Sequence, residues 1–146
     1  MEDRYLYKAK TTPKEKGEFN NVWVTGNLIV SNGKHYIHPV CNAVNVKNET
    51  GRIIVMHEVI SDTICQCVGS KDKNGNLIWE NDIVRGKMHG NYGYRKLVGV
   101  VQYYIDAFKV NVEPNSFSGV YKNISDTCEV IGNIFDNKEL LGRNDE

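Results

Sequence analysis

Apolar positions along this chain come in short bursts divided by polar turns, and where they are regular they alternate. Phe108-Lys109-Val110-Asn111-Val112 is apolar at every second position, the period of a strand with one buried face. Tyr5 to Lys10 forms a first strand, and a polar loop from Thr11 to Asn21 with Pro13 and Gly17 follows it. Val22 to Val30 is apolar and rich in β-branched residues, and Ser31-Asn32-Gly33-Lys34 turns it back into His35-Tyr36-Ile37 as a hairpin. Pro39 ends that strand or holds it at an edge, and Arg52 to Ile60 is a further strand. Thr63 to Lys71 and Asn76 to Trp79 flank Asp72-Lys73-Asn74-Gly75, in which Asn74-Gly75 supplies both positive-φ positions of a type I′ turn. Glu80-Asn81-Asp82 turns the chain into Ile83-Val84-Arg85, Gly86 to Gly93 reads as a loop, and Lys96 to Tyr104 is a strand. Asp106-Ala107 is a tight turn into Phe108 to Val112, and a loop around Pro114 and Gly119 precedes a last strand from Cys128 to Ile134. Asp136 is placed to cap a short helix, Asn137 to Leu141, with a polar, frayed tail after it. No helical stripe is sustained and no repeat of 20 to 50 residues is found.

Composition strengthens the strand assignment. There are 17 valines and 12 isoleucines against six leucines and three alanines, an imbalance that favours the pleated surface on which branched side chains pack. Seventeen asparagines and 13 glycines supply turn positions. The 146 residues suffice for one domain or two very small ones. The expected division is 1–62, a β-rich N-terminal segment, and 63–146, a small SH3-like or Greek-key barrel that closes so as to leave no long open edge. The two parts can also form one compact unit. The longest apolar runs, such as Ile53 to Met56, fall far short of the roughly 20 residues of a spanning helix. The opening Met1-Glu2-Asp3-Arg4 carries acids where an export signal has cations, so a cytoplasmic location is expected and no membrane contact.

Two long runs carry a resemblance. Glu58-Val59-Ile60-Ser61-Asp62-Thr63, Gln66 and then Gly69-Ser70-Lys71-Asp72-Lys73-Asn74-Gly75-Asn76-Leu77-Ile78-Trp79-Glu80-Asn81-Asp82-Ile83-Val84 resemble the central signature of the YopX family of phage and prophage proteins. Glu129-Val130-Ile131-Gly132-Asn133-Ile134-Phe135-Asp136-Asn137-Lys138-Glu139-Leu140-Leu141 resembles that family's closing motif, while Leu6 to Lys10 and Trp23 to Asn27 agree more loosely. Departures fall at Cys67, where the family often has an aromatic, at Val68 and Ser70, at Asn81 in place of Gly, and at Lys138 in place of Pro. Asparagine tolerates positive φ, so the turn at Asn81 survives the change. The resemblance implies a mainly β phage protein in the cytoplasm of a bacterial host, self-associating, without a catalytic group that carries over. Turn chemistry and core filling also account for both motifs without any ligand.

Candidate chemistry is sparse. His38, Cys41, Cys65 and Cys67 are ligand types for zinc, but C-x-C on a strand is not the C-x2-C knuckle of structural sites. Together with Cys128 the thiols read as small buried apolar residues, and no metal or other cofactor is expected. His35, His38, His57 and His89 are scattered, and phosphate-binding, dinucleotide-binding and metalloprotease motifs are absent, so no enzyme activity is expected. One segment concentrates charge. Arg85, Lys87, Arg95 and Lys96 lie with Tyr92 and Tyr94 in a glycine-rich stretch without an acid, which suits phosphates and unpaired bases. Against that, 18 Lys and Arg balance 18 Asp and Glu, so any positive field is local. The leading expectation is therefore a protein that binds itself, or a host or phage protein, with Trp23 and Trp79 as candidate anchors. Single-stranded nucleic-acid binding through residues 85–96 is the alternative.

Overall fold

Branched residues and asparagine turns give the strand-dominated structure their chemistry favours. The computed structural model describes residues 5–13, 21–39, 47–48, 51–52, 56–90 and 93–145, in which the only helical segments are short 3-10 turns. The chain divides into two compact units, Glu2–Gln66 and Cys67–Glu146, and the division falls inside a strand.

In the first unit the strands are β1 (Tyr7–Lys10), β2 (Trp23–Ser31), β3 (Lys34–Pro39), β4 (Lys47–Asn48), β5 (Gly51–Arg52) and β6 (His57–Val59). β1, β2, β3 and β6 form an antiparallel sheet in the order β6-β3-β2-β1. β7 (Cys65–Lys71) contributes Cys65 and Gln66 beside Lys8 and Tyr7, and β4 and β5 pair separately. Asn32 and Gly33, at φ +52° and +75°, make the tight β2–β3 turn that the sequence predicts. Ala9, Ile37 and Val59 are the buried centre, with Tyr7, Val24, Leu28 and Ile64 packed around them. Backbone bonds from Thr12 to Glu58 and from Ile60 to Lys10 tie the end of β1 to β6, the far edge, so the sheet curls. Thr63 adds a side-chain lock, its Oγ1 accepting the Lys10 N–H and donating to the Ile60 carbonyl.

The second unit begins with the rest of β7, which pairs with β8 (Leu77–Trp79). Its main sheet uses β9 (Asp82–Gly90), β10 (Gly93–Tyr104), β11 (Ala107–Asn111), β12 (Tyr121–Lys122) and β13 (Glu129–Asn133), in the order β12-β11-β10-β9-β13. Ile78, Val84, Val101, Val110, Val112 and Cys128 form the core on one face. Ile83 and Val100, paired across the strands, are buried on the other, and the 3-10 turn Lys138–Asp145 packs against β10.

Several expectations are corrected. Five strands are present in the main sheet, but no barrel closes. β12 has only two residues and β13 is bulged between Val130 and Gly132, so neither edge ladder can be continued around a ring. The C-terminal helix is a 3-10 turn starting at Lys138, and Asp136 before it accepts the Asn133 side-chain amide on its carboxylate. Residues 86–90 are strand rather than loop. The turn after Tyr104 is Ile105-Asp106, with Ala107 already in β11. Only Gly75 of the Asn74-Gly75 pair has positive φ, +84°, because the connection is a three-residue loop with Asp72 bonded to Asn76. Of the strand expected over Arg52 to Ile60, residues 53–55 lie outside the described residues, as do 14–20 of the expected loop. No helix among the described residues is long and apolar enough to cross a membrane, which says nothing of a β-barrel.

Candidate functional site

The two long sequence motifs meet in space. Asp72, only 6% exposed, accepts the Asn74 and Asn76 N–H groups on Oδ1 and the Val130 N–H on Oδ2, each at 2.9 Å. Lys73 N–H bonds to the Cys128 carbonyl, and Ile134 N–H to that of Asn81. Burial alone would push the Asp72 carboxyl up. The three backbone N–H groups overcome it and hold the group below the usual carboxylate range. Asn81 sits at φ +71°, as a substitute for glycine must, and Asp82 accepts the Trp79 N–H. Asn133 accepts N–H groups from Phe135 and Asp136. These motif residues hold turns and seam the β7–β8 connection to β13.

The basic segment becomes the far end of the β9–β10 hairpin. β13 pairs with β9 only over Asp82 to Arg85, so beyond Arg85 the two strands continue as a ribbon. Lys87 is paired with Lys96, both exposed, and the register sets Tyr94 opposite His89 and Arg95 opposite Met88. As a directly opposed pair, positions 87 and 96 share one face. Tyr92 lies outside the described residues. Arg85 is engaged at the base, its Nη2 donating to Glu129 Oε1 at 2.7 Å, with Lys73 and Asn74 at the other carboxylate oxygen. That Arg85 bond, then Asn74 and the Lys73 charge, lower the Glu129 carboxyl from its ordinary value. Gly86 is not a hinge: a Cβ there would lie 2.8 Å from the Cys128 Cα, so it is needed for close packing.

Cys65, Cys67 and Cys128 are free and buried, and Cys41 is outside the described residues. Burial, then the Asp72 and Asp126 charges, push the Cys128 thiol up, away from the nucleophilic thiolate. Among the described residues no group of three His, Cys, Asp or Glu could hold a metal ion. No histidine is another's cross-strand partner within the ladders. Trp79 is core, whereas Trp23 is half-buried with the Lys8 and Lys10 amines 4.8 and 5.4 Å from its ring centroid.

One surface escaped the sequence reading. The β10–β11 hairpin ends in Tyr103, Tyr104 and Ile105, which are 59%, 38% and 79% exposed. Ile105 is held at φ +62°, a conformation that β-branched residues avoid. Tyr104 stacks on Tyr121 at 3.8 Å and Tyr103 meets Phe108 edge-on at 5.2 Å. The signal was present in the sequence: Tyr-Tyr-Ile-Asp fills a turn with no glycine or asparagine.

The family model described as YopX protein matches residues 10–142. No curated protein matches the chain.

Proposed function

The chain belongs to the YopX family, and on that premise we propose that it is a non-enzymatic phage accessory protein that works by protein contact, through association with its own kind, in the cytoplasm of a bacterial host. The observation that carries this is the exposed Tyr103-Tyr104-Ile105 turn. An isoleucine at positive φ costs about 1–2 kcal/mol, and its side chain gives nothing back to the core. Strained residues of this kind are retained where contact with something else uses them. The paired aromatics beside it are the residue types that dominate interface energies.

Light scattering after size exclusion, over a wide concentration range, tests this. The unaltered protein associates, and Ile105→Asn dissociates it while raising the melting temperature by a few degrees, since about 1 kcal/mol moves a protein of this size by about 2–4 °C. A protein that stays monomeric throughout overturns the proposal, as does an Ile105→Asn variant that associates as before.

A second function is favoured by one specific observation, the Lys87–Lys96 pair. Like charges directly opposite on a ribbon destabilise it unless an anion lies between them. The ribbon therefore suits a phosphate backbone.

A further inference from the structure

The curled sheet of the first unit has an inner face that packs Ala9, Leu28 and Ile37, and an outer face with different chemistry. Register fixes which residues share the outer one. Lys8 pairs with Thr25, Lys10 with Trp23, Asn27 with His38, Ile29 with Tyr36, and Tyr36 in turn with Glu58. Along β2 the exposed positions Thr25, Asn27, Ile29 and Ser31 alternate with the inward Val24, Gly26 and Leu28, so this face reaches solvent. It carries Lys8, Lys10 and, opposite Ser31, Lys34. Among the described residues, Glu58 is the acid that the register places on it, 3.9 Å from the Lys34 amine.

We propose that this outer face is a site for single-stranded nucleic acid, with Lys8, Lys10 and Lys34 taking phosphates and the Trp23 and Tyr36 rings taking bases. Both Lys8 and Lys10 stand over the indole, so positive charge already sits beside a stacking plane, the pairing that a sugar-phosphate strand with unpaired bases presents. Trp23 and the position opposite Tyr36 are six residues apart on β2, about 20 Å at ~3.3 Å per residue. That length holds several nucleotides, within the range of about 4–16 that small β-folds cover. Exposed Asn27 and half-buried His38 lie between the two ends and offer hydrogen-bonding groups. A duplex would hide its base faces from the rings, and an acidic peptide would use the amines while leaving the aromatic planes unused. This face is independent of the β9–β10 ribbon, which belongs to the second unit.

The test is a titration of the full-length protein with a fluorescein-labelled single strand of about 12 nucleotides, as DNA and as RNA, followed by anisotropy and by tryptophan emission. Trp79 is buried, so quenching on binding reports Trp23. Binding is expected at low salt, with a log–log salt slope near −2 from three phosphate contacts at about 0.7 each. Lys8→Glu with Lys10→Glu weakens it by tenfold or more. Asn27→Glu, at an exposed position that cannot disturb the core, weakens it severalfold, and Lys87→Ala with Lys96→Ala reads the contribution of the ribbon separately. Circular dichroism checks that each variant is folded. No binding at low salt overturns the proposal. So does binding that survives both outer-face variants, binding lost only with the ribbon variant, or equal competition by polyglutamate.

Discussion

Asp72 shows how one carboxylate can carry a local structure. Three backbone N–H groups end on it, and with the carboxyl held below its ordinary range the ionised form is the one the fold prefers. A depressed folded-state value means that this contribution is fully present above the unfolded value, near pH 4, and is lost as pH falls through the folded one. Asp72→Asn keeps the shape but turns one acceptor into a donor facing an N–H, which costs about 1–3 kcal/mol near neutrality. Urea unfolding at pH 7 and pH 3 checks this. The gap between the two proteins narrows in acid, because below about pH 4 the unfolded chain takes up the proton and the preference for the ionised native form shrinks. An unchanged gap would mean that the charge contributes nothing. At Asn81 the residue-scale reading held: asparagine replaces glycine and takes φ +71°. At Asn74 it did not, because Asp72 gathers the Asn74 and Asn76 N–H groups and sets a longer loop than the Asn-Gly pair alone favours.

The β9–β10 hairpin is where element-level reading went furthest astray. Glycines and a lost apolar pattern made residues 86–93 look like a loop, yet most of them are strand. Alternation marks a strand only where one face is buried, and a two-stranded ribbon does not require it. Gly86 is required by its close approach to Cys128. If the Lys87–Lys96 pair contacts phosphate, Glu129→Gln, which loosens the hold on Arg85, strengthens binding of a labelled single strand, and Lys87→Ala with Lys96→Ala weakens it in a salt-dependent way. Equal affinity in all three proteins would dispose of the ribbon as a binding element.

Over the whole molecule, 18 positive and 18 negative residues cancel, so near neutrality no long-range repulsion opposes contact between copies. Association through the Tyr103–Ile105 turn should therefore be strongest near neutral pH and weaken as the chain gains charge at pH 9. It should also survive added salt, because the contact is apolar. Sedimentation velocity at the two pH values and two salt concentrations measures both effects. Association that salt abolishes would point to charge pairs instead of the hairpin end.

The class of structure and most of its strands follow from local chemistry alone, because branched side chains, alternation and asparagine turns act over a few residues and need no knowledge of distant ones. The β2–β3 hairpin, the β11 strand and the Asn81 turn were all legible in that way. How sheet edges end and which distant residues meet emerge only once the strands have assembled. The open five-stranded sheet, the seam from Asp72 to Val130, the Arg85–Glu129 pair and the cations over Trp23 depend on register and on chain separations of up to 58 residues. Local pattern constrains each strand's faces but leaves its neighbours undetermined, and neighbours are what make a surface.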